Sequence, residues 1–331
     1  MNRMLARSLD EAGMMLMTLE QKNSMPGYDK EELHQYLKRK YLSHPSQFYL
    51  LNGHSPHVSL HLDDERETYN LYRLTFQTPL PSAHKENNTV NGRYYELKDN
   101  KHAPTVLILH GWRVRNLLFF HRAALEFLEL GYNAVFFPLP YHFDRAPSGS
   151  YSGQFMVSAD GVQTIESMRQ AVLECKMLFN WLEKRGTESM SVFGVSLGGW
   201  LSTFLCTCEP RLSFAIPVVP ASDPVEMFRK SRLAQLIRLG LNGEMDALFE
   251  VFKSGLKVLQ PARFTPVIPK ERILLIEGQY DEMVPSFIIE KLWKAWDKPP
   301  ILRYRHGHLS ILILEPDFFD DIAKFLHNMN P

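Results

Sequence analysis

Apolar and polar positions follow two alternating patterns along most of the chain. Short apolar runs, typical of strands buried on both faces, occur at residues 105–109, 133–137, 190–193, 213–218 and 272–276, and a last predicted strand is at 301–305. Amphipathic stretches with helical spacing separate them, at residues 116–130, 162–185, 286–296 and 317–328. Because strands that alternate with helices form βαβ crossovers, the pattern predicts the α/β class, with a mostly parallel central sheet flanked by helices.

The first 66 residues differ, because their period is helical and they are rich in polar residues. Apolar residues at helical spacing predict an amphipathic helix that packs on the rest of the chain; they are Leu5, Leu9, Ala12, Leu16 and Leu19. Contact with a membrane surface or with a partner is the alternative for this helix. A second helix is predicted at residues 29–42. We therefore predict an N-terminal helical extension at residues 1–66, packed on one large domain at residues 67–331.

Two further stretches complete the outline of that domain. Residues 69–76 alternate and predict a strand, whereas Pro, Asn and Gly make residues 79–93 a turn-rich connection. Between the fourth and fifth apolar runs lie two amphipathic segments, 224–239 and 244–259. We interpret them as a helical cap, at about residues 221–265, over the edge of the sheet where ligands bind; peripheral packing is the alternative. Its apolar faces favour a lipophilic acyl substrate and leave peripheral membrane contact open.

Composition narrows the classes of function. Lys and Arg together number 37, as do Asp and Glu, so the chain lacks the basic balance of a nucleic-acid-binding protein. Its 3 cysteines fit no disulfide framework and indicate a reducing compartment. Cys206 and Cys208 fall in a predicted helix and make a poor zinc motif, so no metal is expected. No apolar stretch approaches the ~20 residues of a membrane span, and no secretory signal is evident. We therefore expect a cytoplasmic protein.

One short stretch carries the main chemical signal. Residues 194–199 read Gly-Val-Ser-Leu-Gly-Gly, between a predicted strand and a predicted helix. In that setting the G-x-S-x-G pattern places a nucleophilic serine, here Ser196, on a sharp turn. Small residues on either side let neighbouring backbone approach closely. A serine hydroxyl also needs an imidazole to take its proton and a buried carboxylate to hold that imidazole.

Two later motifs supply such groups, each directly after a predicted strand. The stretch Glu-Gly-Gln-Tyr-Asp-Glu-Met-Val-Pro contains Asp281, and the stretch Arg-His-Gly-His-Leu-Ser contains His308. Together with the elbow at Ser196, and in this chain order, they resemble the α/β-hydrolase superfamily over residues 70–329. The resemblance implies an α/β-hydrolase fold and a catalytic triad of Ser196, Asp281 and His308 that works without a cofactor.

The same resemblance implies an oxyanion hole built from backbone N–H groups. One is expected from Leu197, at the start of the elbow helix. The other is expected from Trp112, because the His-Gly-Trp turn after the first apolar run resembles the H-G-x turn of the superfamily. His110, the first residue of that turn, is expected to pack and form hydrogen bonds beneath the site.

The loop after the second apolar run is a candidate for substrate contact. It follows the carboxyl end of a predicted strand and carries Tyr141, His142 and Arg145, so these side chains are predicted to border the pocket. For the charged residues Asp144 and Arg145, pairing with structural neighbours is the favoured interpretation, and contact of Tyr141, His142 or Arg145 with substrate is the alternative. This loop and the terminal Gly-His-Leu-Ser are similar to a branch of α/β-hydrolase-domain proteins that has an N-terminal helical extension.

The expected activity is hydrolysis of a small-molecule carboxylic ester through an acyl-enzyme formed on Ser196. Peptidases and thioesterases use the same residues, and the sequence does not separate them. A non-catalytic protein of this fold that binds a ligand or a partner is the alternative from another class, and a lyase or haloperoxidase is a third. His306 is an alternative base, and Glu282 and Asp223 are alternative acids. The sequence leaves the oligomeric state open.

Overall fold

One sheet organises the part of the chain that the computed structural model describes, residues 1–20, 29–39, 44–51, 53, 55–158, 160–233 and 256–329. Its nine strands within these residues are β1 (Ser59–Glu65), β2 (Tyr69–Gln77), β3 (Thr89–Leu97), β4 (Thr105–Leu109), β5 (Asn133–Phe137), β6 (Met190–Val195), β7 (Leu212–Val218), β8 (Leu275–Gly278) and β9 (Ile301–Tyr304). The described helices are α1 (Arg3–Glu20), α2 (Lys30–Leu37), α3 (Pro45–Phe48), α4 (Leu118–Glu129), α5 (Gly161–Lys184), α6 (Leu197–Cys208), α7 (Pro224–Lys230), α8 (Ser286–Ala295), α9 (Ser310–Leu314) and α10 (Phe318–Met329).

The sheet has an antiparallel end and a parallel end. Its strand order is β1-β2-β3-β5-β4-β6-β7-β8-β9. Strands β1, β2, β3 and β5 pair antiparallel in that order, and from β5 to β9 all pairs are parallel. This confirms the predicted α/β fold with a mostly parallel sheet. Because parallel strands share their direction, the loops after β4 to β9 all leave the sheet at one edge, the edge at which such folds bind ligands.

The centre of the sheet forms the core of the molecule. Every residue of β4, β5 and β6 is buried, as their continuous apolar runs predict. Helix α4 packs on β5, and α6 packs on β6 and β7. The helices therefore cover the apolar strands, and the elbow directly follows a strand that is completely buried.

Two strands occur where the sequence predicts helix or turn. Residues 59–65 belong to the edge strand β1, although the helical prediction extends to residue 66; most of β1 is exposed, so its hydrophobic signal is weak. Strand β3 begins at Thr89, inside the predicted turn-rich stretch 79–93. Its Asn91 and Gly92 read as turn residues, yet Gly92 pairs with Leu74 of β2. A side chain at Gly92 would meet the carbonyl oxygen of Phe136 at 3.0 Å, so glycine is present because β5 passes close by.

Helix α1 docks through a different face from the one predicted. Leu5 and Leu16, two members of the predicted apolar stripe, are 51% and 63% exposed, whereas Ala6 and Asp10 are completely buried. The docking face is narrow and made of small residues and one carboxylate, so hydrophobicity does not mark it. The helix contacts α9, near the carboxyl end of the sheet.

The predicted cap lies largely outside the described residues. Of its two helices, at 224–239 and 244–259, the structure describes α7 and a 3₁₀ turn at Leu256–Leu259; residues 234–255 are outside the described part. The end of the second predicted helix, at residues 40–42, is outside it as well. Among the helices that are described, none has the length and hydropathy needed to cross a membrane.

Candidate active site

The elbow holds Ser196 in a strained backbone conformation between β6 and α6. Its φ of 57° and ψ of −109° lie where a residue with a side chain is seldom found. The Ser196 N–H donates to the carbonyl of Val218 at 2.8 Å. A side chain at Gly194 would meet the oxygen of Gly198 at 2.2 Å, and one at Gly198 would meet the oxygen of Leu109 at 2.3 Å. The glycines of the motif are therefore required by the close approach of α6 to β6 and β4.

Asp281 and His308 form a buried pair beyond the ends of β8 and β9. The Nδ1 of His308 donates to Oδ2 of Asp281 at 2.6 Å. The other carboxylate oxygen accepts from the N–H groups of Met283, at 2.8 Å, and Val284, at 2.7 Å. These three donors stabilise the ionised carboxylate. Because Nδ1 carries the proton in this bond, Nε2 of the neutral imidazole is left as the basic nitrogen.

Burial and charge act against each other on this pair. Burial alone would lower the pKa of His308, but the charge and hydrogen bond of Asp281, with a smaller contribution from Asp10, raise that pKa above its ordinary value. Burial raises the pKa of Asp281, and His308 opposes this rise. The pair thus favours a positive imidazole next to a negative carboxylate, the charge distribution that a general base reaches after it accepts a proton.

The alternative base and acids have other partners. His306 faces Glu315, with 3.1 Å between Nε2 and the carboxylate oxygen, rather than Asp281. Glu282 forms ion pairs with Arg7 and Arg232 at the surface. Of the candidate groups, the structure therefore brings together Asp281 and His308.

Asp223 is likewise used elsewhere, although it follows β7. Its Oδ1 caps α7 by accepting from the N–H of Glu226 at 3.1 Å. Its Oδ2 pairs with Nζ of Lys291 at 2.5 Å. The carboxylate therefore stabilises the start of a helix and holds a lysine, and it makes no described contact with His308.

Backbone hydrogen bonds align the elbow with the loops that carry the pair. They connect the carboxyl ends of β6, β7, β8 and β9 in sequence, so that the loop after each strand is tied to its neighbour. The bonds run from Ser196 N to Val218 O, from Val219 N to Ile276 O, from Gln279 N to Tyr304 O and from Tyr280 N to His306 O, at 2.8 to 2.9 Å. Ser196, Asp281 and His308 therefore lie on one connected edge of the sheet.

The loop after β4 passes beside the nucleophile candidate. A side chain at Gly111 would lie 3.5 Å from Cβ of Ser196. His110 is completely buried beneath the loop; its Nδ1 donates to the carbonyl of Gly111 at 2.7 Å, and its Nε2 accepts from the N–H of Leu139 at 2.9 Å. This confirms its predicted packing role, and burial holds its pKa well below the ordinary value. Among the described residues, no acceptor is assigned to the N–H of Trp112 or of Leu197.

His142 supports this loop from below. It is completely buried. Its Nδ1 donates to the carbonyl of Pro140 at 2.8 Å, and its Nε2 accepts from the N–H of Arg113 at 3.3 Å. Burial lowers the pKa of His142 to about 4, so the ring is neutral near pH 7. Both ring nitrogens are engaged internally, which differs from the predicted contact with substrate.

Arg145 is also internal. It is 1% exposed, and all five of its N–H groups have partners: Nη1 and Nη2 clamp the carboxylate of Glu174 at 2.9 and 2.6 Å, and the others bond the carbonyls of Asn87 and Pro138. This confirms the favoured interpretation of Arg145, pairing with structural neighbours. Tyr141 is 2% exposed, with its ring 5.6 Å from that of Phe155.

The buried Arg145–Glu174 pair gives a stability prediction. Arg145→Met should lower the free energy of unfolding by about 3–5 kcal/mol, because it leaves the Glu174 carboxylate buried without its partner. Urea unfolding followed by circular dichroism measures this loss. The matched control is Arg66→Met, which breaks an exposed pair with Asp64 and should cost less than about 1 kcal/mol. Equal losses of unfolding free energy in the two variants would contradict a structural role for the buried Arg145–Glu174 pair.

One residue at the site, Asp10, belongs to none of the sequence motifs. Asp10 of α1 is completely buried and accepts from the N–H groups of His308 and Leu309, both at 3.0 Å. In the sequence it is one acid in a polar-rich helix, far from the three motifs. The available signal is its spacing from two small residues, Ala6 and Gly13, which puts all three on one helix face.

Comparisons with known proteins agree with this architecture. The model of the family described as Alpha/beta hydrolase domain containing 18 matches residues 31–241. An uncharacterized protein of Mycobacterium tuberculosis is 27% identical over 296 residues, which cover 85% of this chain and 70% of that protein. Acetyl xylan esterase 1 of a Thermoanaerobacterium species superposes with a TM-score of 0.65 at 16% identity, over 94% of this chain and 98% of its own. An esterase of Pyrococcus furiosus superposes with a TM-score of 0.53 at 17% identity, over 79% and 94%.

The fold, together with these comparisons, defines an α/β hydrolase, and the resemblance to that superfamily is confirmed. Within the class, the chain belongs to the family Alpha/beta hydrolase domain containing 18. The matched residues include the elbow and the turn after β4, whereas Asp281, His308 and Asp10 lie outside the match. The arrangement of those three residues therefore rests on the geometry described above.

Proposed function

We propose that this protein is a serine hydrolase that cleaves a carboxylic ester through an acyl-enzyme, with Ser196 as nucleophile, His308 as base and Asp281 as acid. The observation that carries the proposal is the 2.6 Å bond from Nδ1 of His308 to Asp281. This bond selects the imidazole tautomer in which Nε2 is free to accept a proton. The same edge of the sheet also carries Ser196 in a strained turn.

The alternative base His306 faces Glu315, and the alternative acids Glu282 and Asp223 pair with arginine and lysine side chains. Among the described contacts, none of these three side chains pairs with the proposed base or the proposed acid.

In the proposed reaction, Oγ of Ser196 attacks the ester carbonyl while its proton passes to Nε2 of His308. The resulting oxyanion accepts from the N–H groups of Trp112 and Leu197. The C–O bond to the alcohol breaks, and Nε2 returns the proton to the leaving alkoxide. Water then attacks the acyl group on Ser196 and gives a proton to Nε2 of His308. The bond from the acyl carbon to Oγ breaks, Nε2 returns the proton to Oγ, and the carboxylic acid is released. Asp281 stays ionised and stabilises the imidazolium in both steps.

An ester is the proposed substrate because the structural relatives named above are themselves esterases. The lipophilic acyl group expected from the cap remains part of this proposal. Peptidase and thioesterase activities would use the same groups. Matched ester, amide and thioester substrates with one acyl chain would rank the three bonds by kcat/KM.

Labelling with a fluorophosphonate probe tests the proposal directly. The probe phosphonylates an activated serine, so the wild-type protein should be labelled in a peptide that contains Ser196, as identified by mass spectrometry. Ser196→Ala should give no label, and heat-denatured wild type should give none either. Folded wild-type protein that stays unlabelled and hydrolyses none of the matched substrates would contradict the proposal and favour the non-catalytic binding protein.

A further inference from the structure

Helix α1 lies directly against the loop that carries His308. A side chain at Gly13 would meet Cδ1 of Leu309 at 2.5 Å, and one at Gly307 would meet the carbonyl oxygen of Ala6 at 3.1 Å. Small residues on both sides thus let the helix backbone approach the loop closely. At this separation a short carboxylate on the helix can reach the loop backbone.

Asp10 makes that contact and joins two loops. Its Oδ1 accepts from the N–H of Leu309 at 3.0 Å, and its Oδ2 accepts from the N–H of His308 at 3.0 Å. Oδ2 also accepts from the N–H of Glu282 at 3.4 Å, next to Asp281. A buried carboxylate is stable only when donors compensate for its lost hydration, and here those donors belong to the base loop and the acid loop.

The other end of α1 reaches the loop after β4. Nη1 of Arg113 donates to the carbonyl oxygen of Met17 at 3.0 Å. On the outer side, Arg7 pairs with Glu282. One helix near the start of the chain therefore touches the three loops that carry the proposed base, acid and oxyanion hole.

We propose that Asp10 is a positioning residue of the active site: it fixes the backbone of the His308 loop relative to the Asp281 loop and places a second negative charge near the imidazole. This inference rests on the proposed function of the same site. It makes α1 a component of the catalytic apparatus, whereas the sequence pattern describes only an extension packed on the domain.

Two charges act on His308 in the described part of the chain, Asp281 from the acid loop and Asp10 from α1. Both favour the imidazolium. Removal of the Asp10 charge should therefore lower the pKa of His308. Since the neutral imidazole is the base, the acidic limb of the kcat/KM profile should move to lower pH, while the loosened loop lowers kcat at the plateau.

The test compares Asp10→Asn with Glu11→Gln. Asparagine keeps the size of the side chain but loses the charge and one acceptor. Glu11 is the adjacent acid on the same helix, and its side chain is 54% exposed. Asp10→Asn should lower kcat by up to about 100-fold, with KM within about threefold, and should move the acidic limb to lower pH. Glu11→Gln should change none of these by more than about threefold.

A readout independent of turnover separates this inference from the proposed function. The titration of His308 can be followed by NMR of histidine-labelled protein, with His308→Gln assigning its signal among the 13 histidines. A lower His308 pKa in Asp10→Asn supports the inference even when the wild type has no esterase activity, which would overturn the proposed function alone. Unchanged His308 titration and unchanged kcat in folded Asp10→Asn would overturn the inference alone.

A further variant covers the case in which Asp10→Asn does not fold. Asp10→Glu keeps the charge and moves the carboxylate outward by one methylene group. It should keep the His308 pKa close to that of the wild type and still lower kcat, because the three N–H groups are no longer met in one geometry. A folded Asp10→Glu protein with wild-type kcat would overturn the positioning role.

Discussion

Replacement of Ser196 by alanine is expected to lower kcat for the preferred ester by about 10⁶-fold. The change removes the atom that, in the proposed reaction, forms the bond to the acyl group, and it leaves the elbow with a residue of similar backbone preference. A loss of this size corresponds to about 8 kcal/mol in the activation free energy. Initial rates at saturating substrate measure it, with the enzyme concentration raised for the variant so that a residual rate is quantified.

Ser202→Ala is the matched control for this prediction. Ser202 is a buried serine on the same helix, and its hydroxyl donates to the carbonyl of Gly198 at 2.8 Å. Removal of that bond should cost about 1 kcal/mol of stability and leave kcat within about fivefold. If folded Ser196→Ala keeps more than a tenth of the wild-type rate, the nucleophile is another group and the proposed function is wrong.

The sequence predicts the centre of the fold well because burial there is uniform. Strands β4, β5 and β6 are covered on both faces, so they are continuous apolar runs that are bounded by turns. The elbow, Asp281 and His308 are predictable for a related reason: each directly follows a predicted strand, and parallel topology brings such positions to one edge.

The edges of the molecule are predicted less well because their signals are weak or ambiguous. Strand β1 exposes most of its residues, and β3 contains an Asn-Gly pair that is typical of turns. Gly92 is needed there because strand β5 passes close by. Strand β5 is distant in the sequence, so the local pattern around Gly92 does not reveal this contact.

Buried polar contacts are the part of the site that the sequence hides most. Arg145 follows a strand end, as a substrate-binding residue would, but its partner Glu174 lies in the middle of α5, 29 residues later. Asp10 is 298 positions from His308. Partnerships of this kind depend on the final packing of elements, and a short-range pattern of hydrophobicity carries no information about them.

Asp281→Asn is expected to lower kcat by about 10⁴-fold with little effect on KM. The asparagine oxygen can still accept from the N–H groups of Met283 and Val284, so the acid loop keeps its conformation. The amide NH₂ then faces Nδ1 of His308. Two donors cannot share that position, so the imidazole adopts the tautomer with the proton on Nε2, which cannot accept the proton of Ser196.

The pH profile of the same variant supplies a second measurement. In the wild type the Asp281 charge holds the pKa of His308 above its ordinary value of 6.5, so kcat/KM should rise with pH through a limb above that value. In Asp281→Asn that charge is lost, so burial, opposed only by the smaller effect of Asp10, lowers the pKa of His308. The limb should therefore move to lower pH while the plateau falls.

Asp223→Asn is the matched control, because Asp223 is also a buried acid that follows a strand but pairs with Lys291. Its kcat should stay within about fivefold of the wild type, with an unshifted acidic limb. A large loss of kcat in Asp223→Asn with normal activity in Asp281→Asn would reverse the assignment of the acid. If both variants lose activity and only Asp281→Asn shifts the limb, Asp223 acts through stability and Asp281 remains the residue that sets the charge and tautomer of His308.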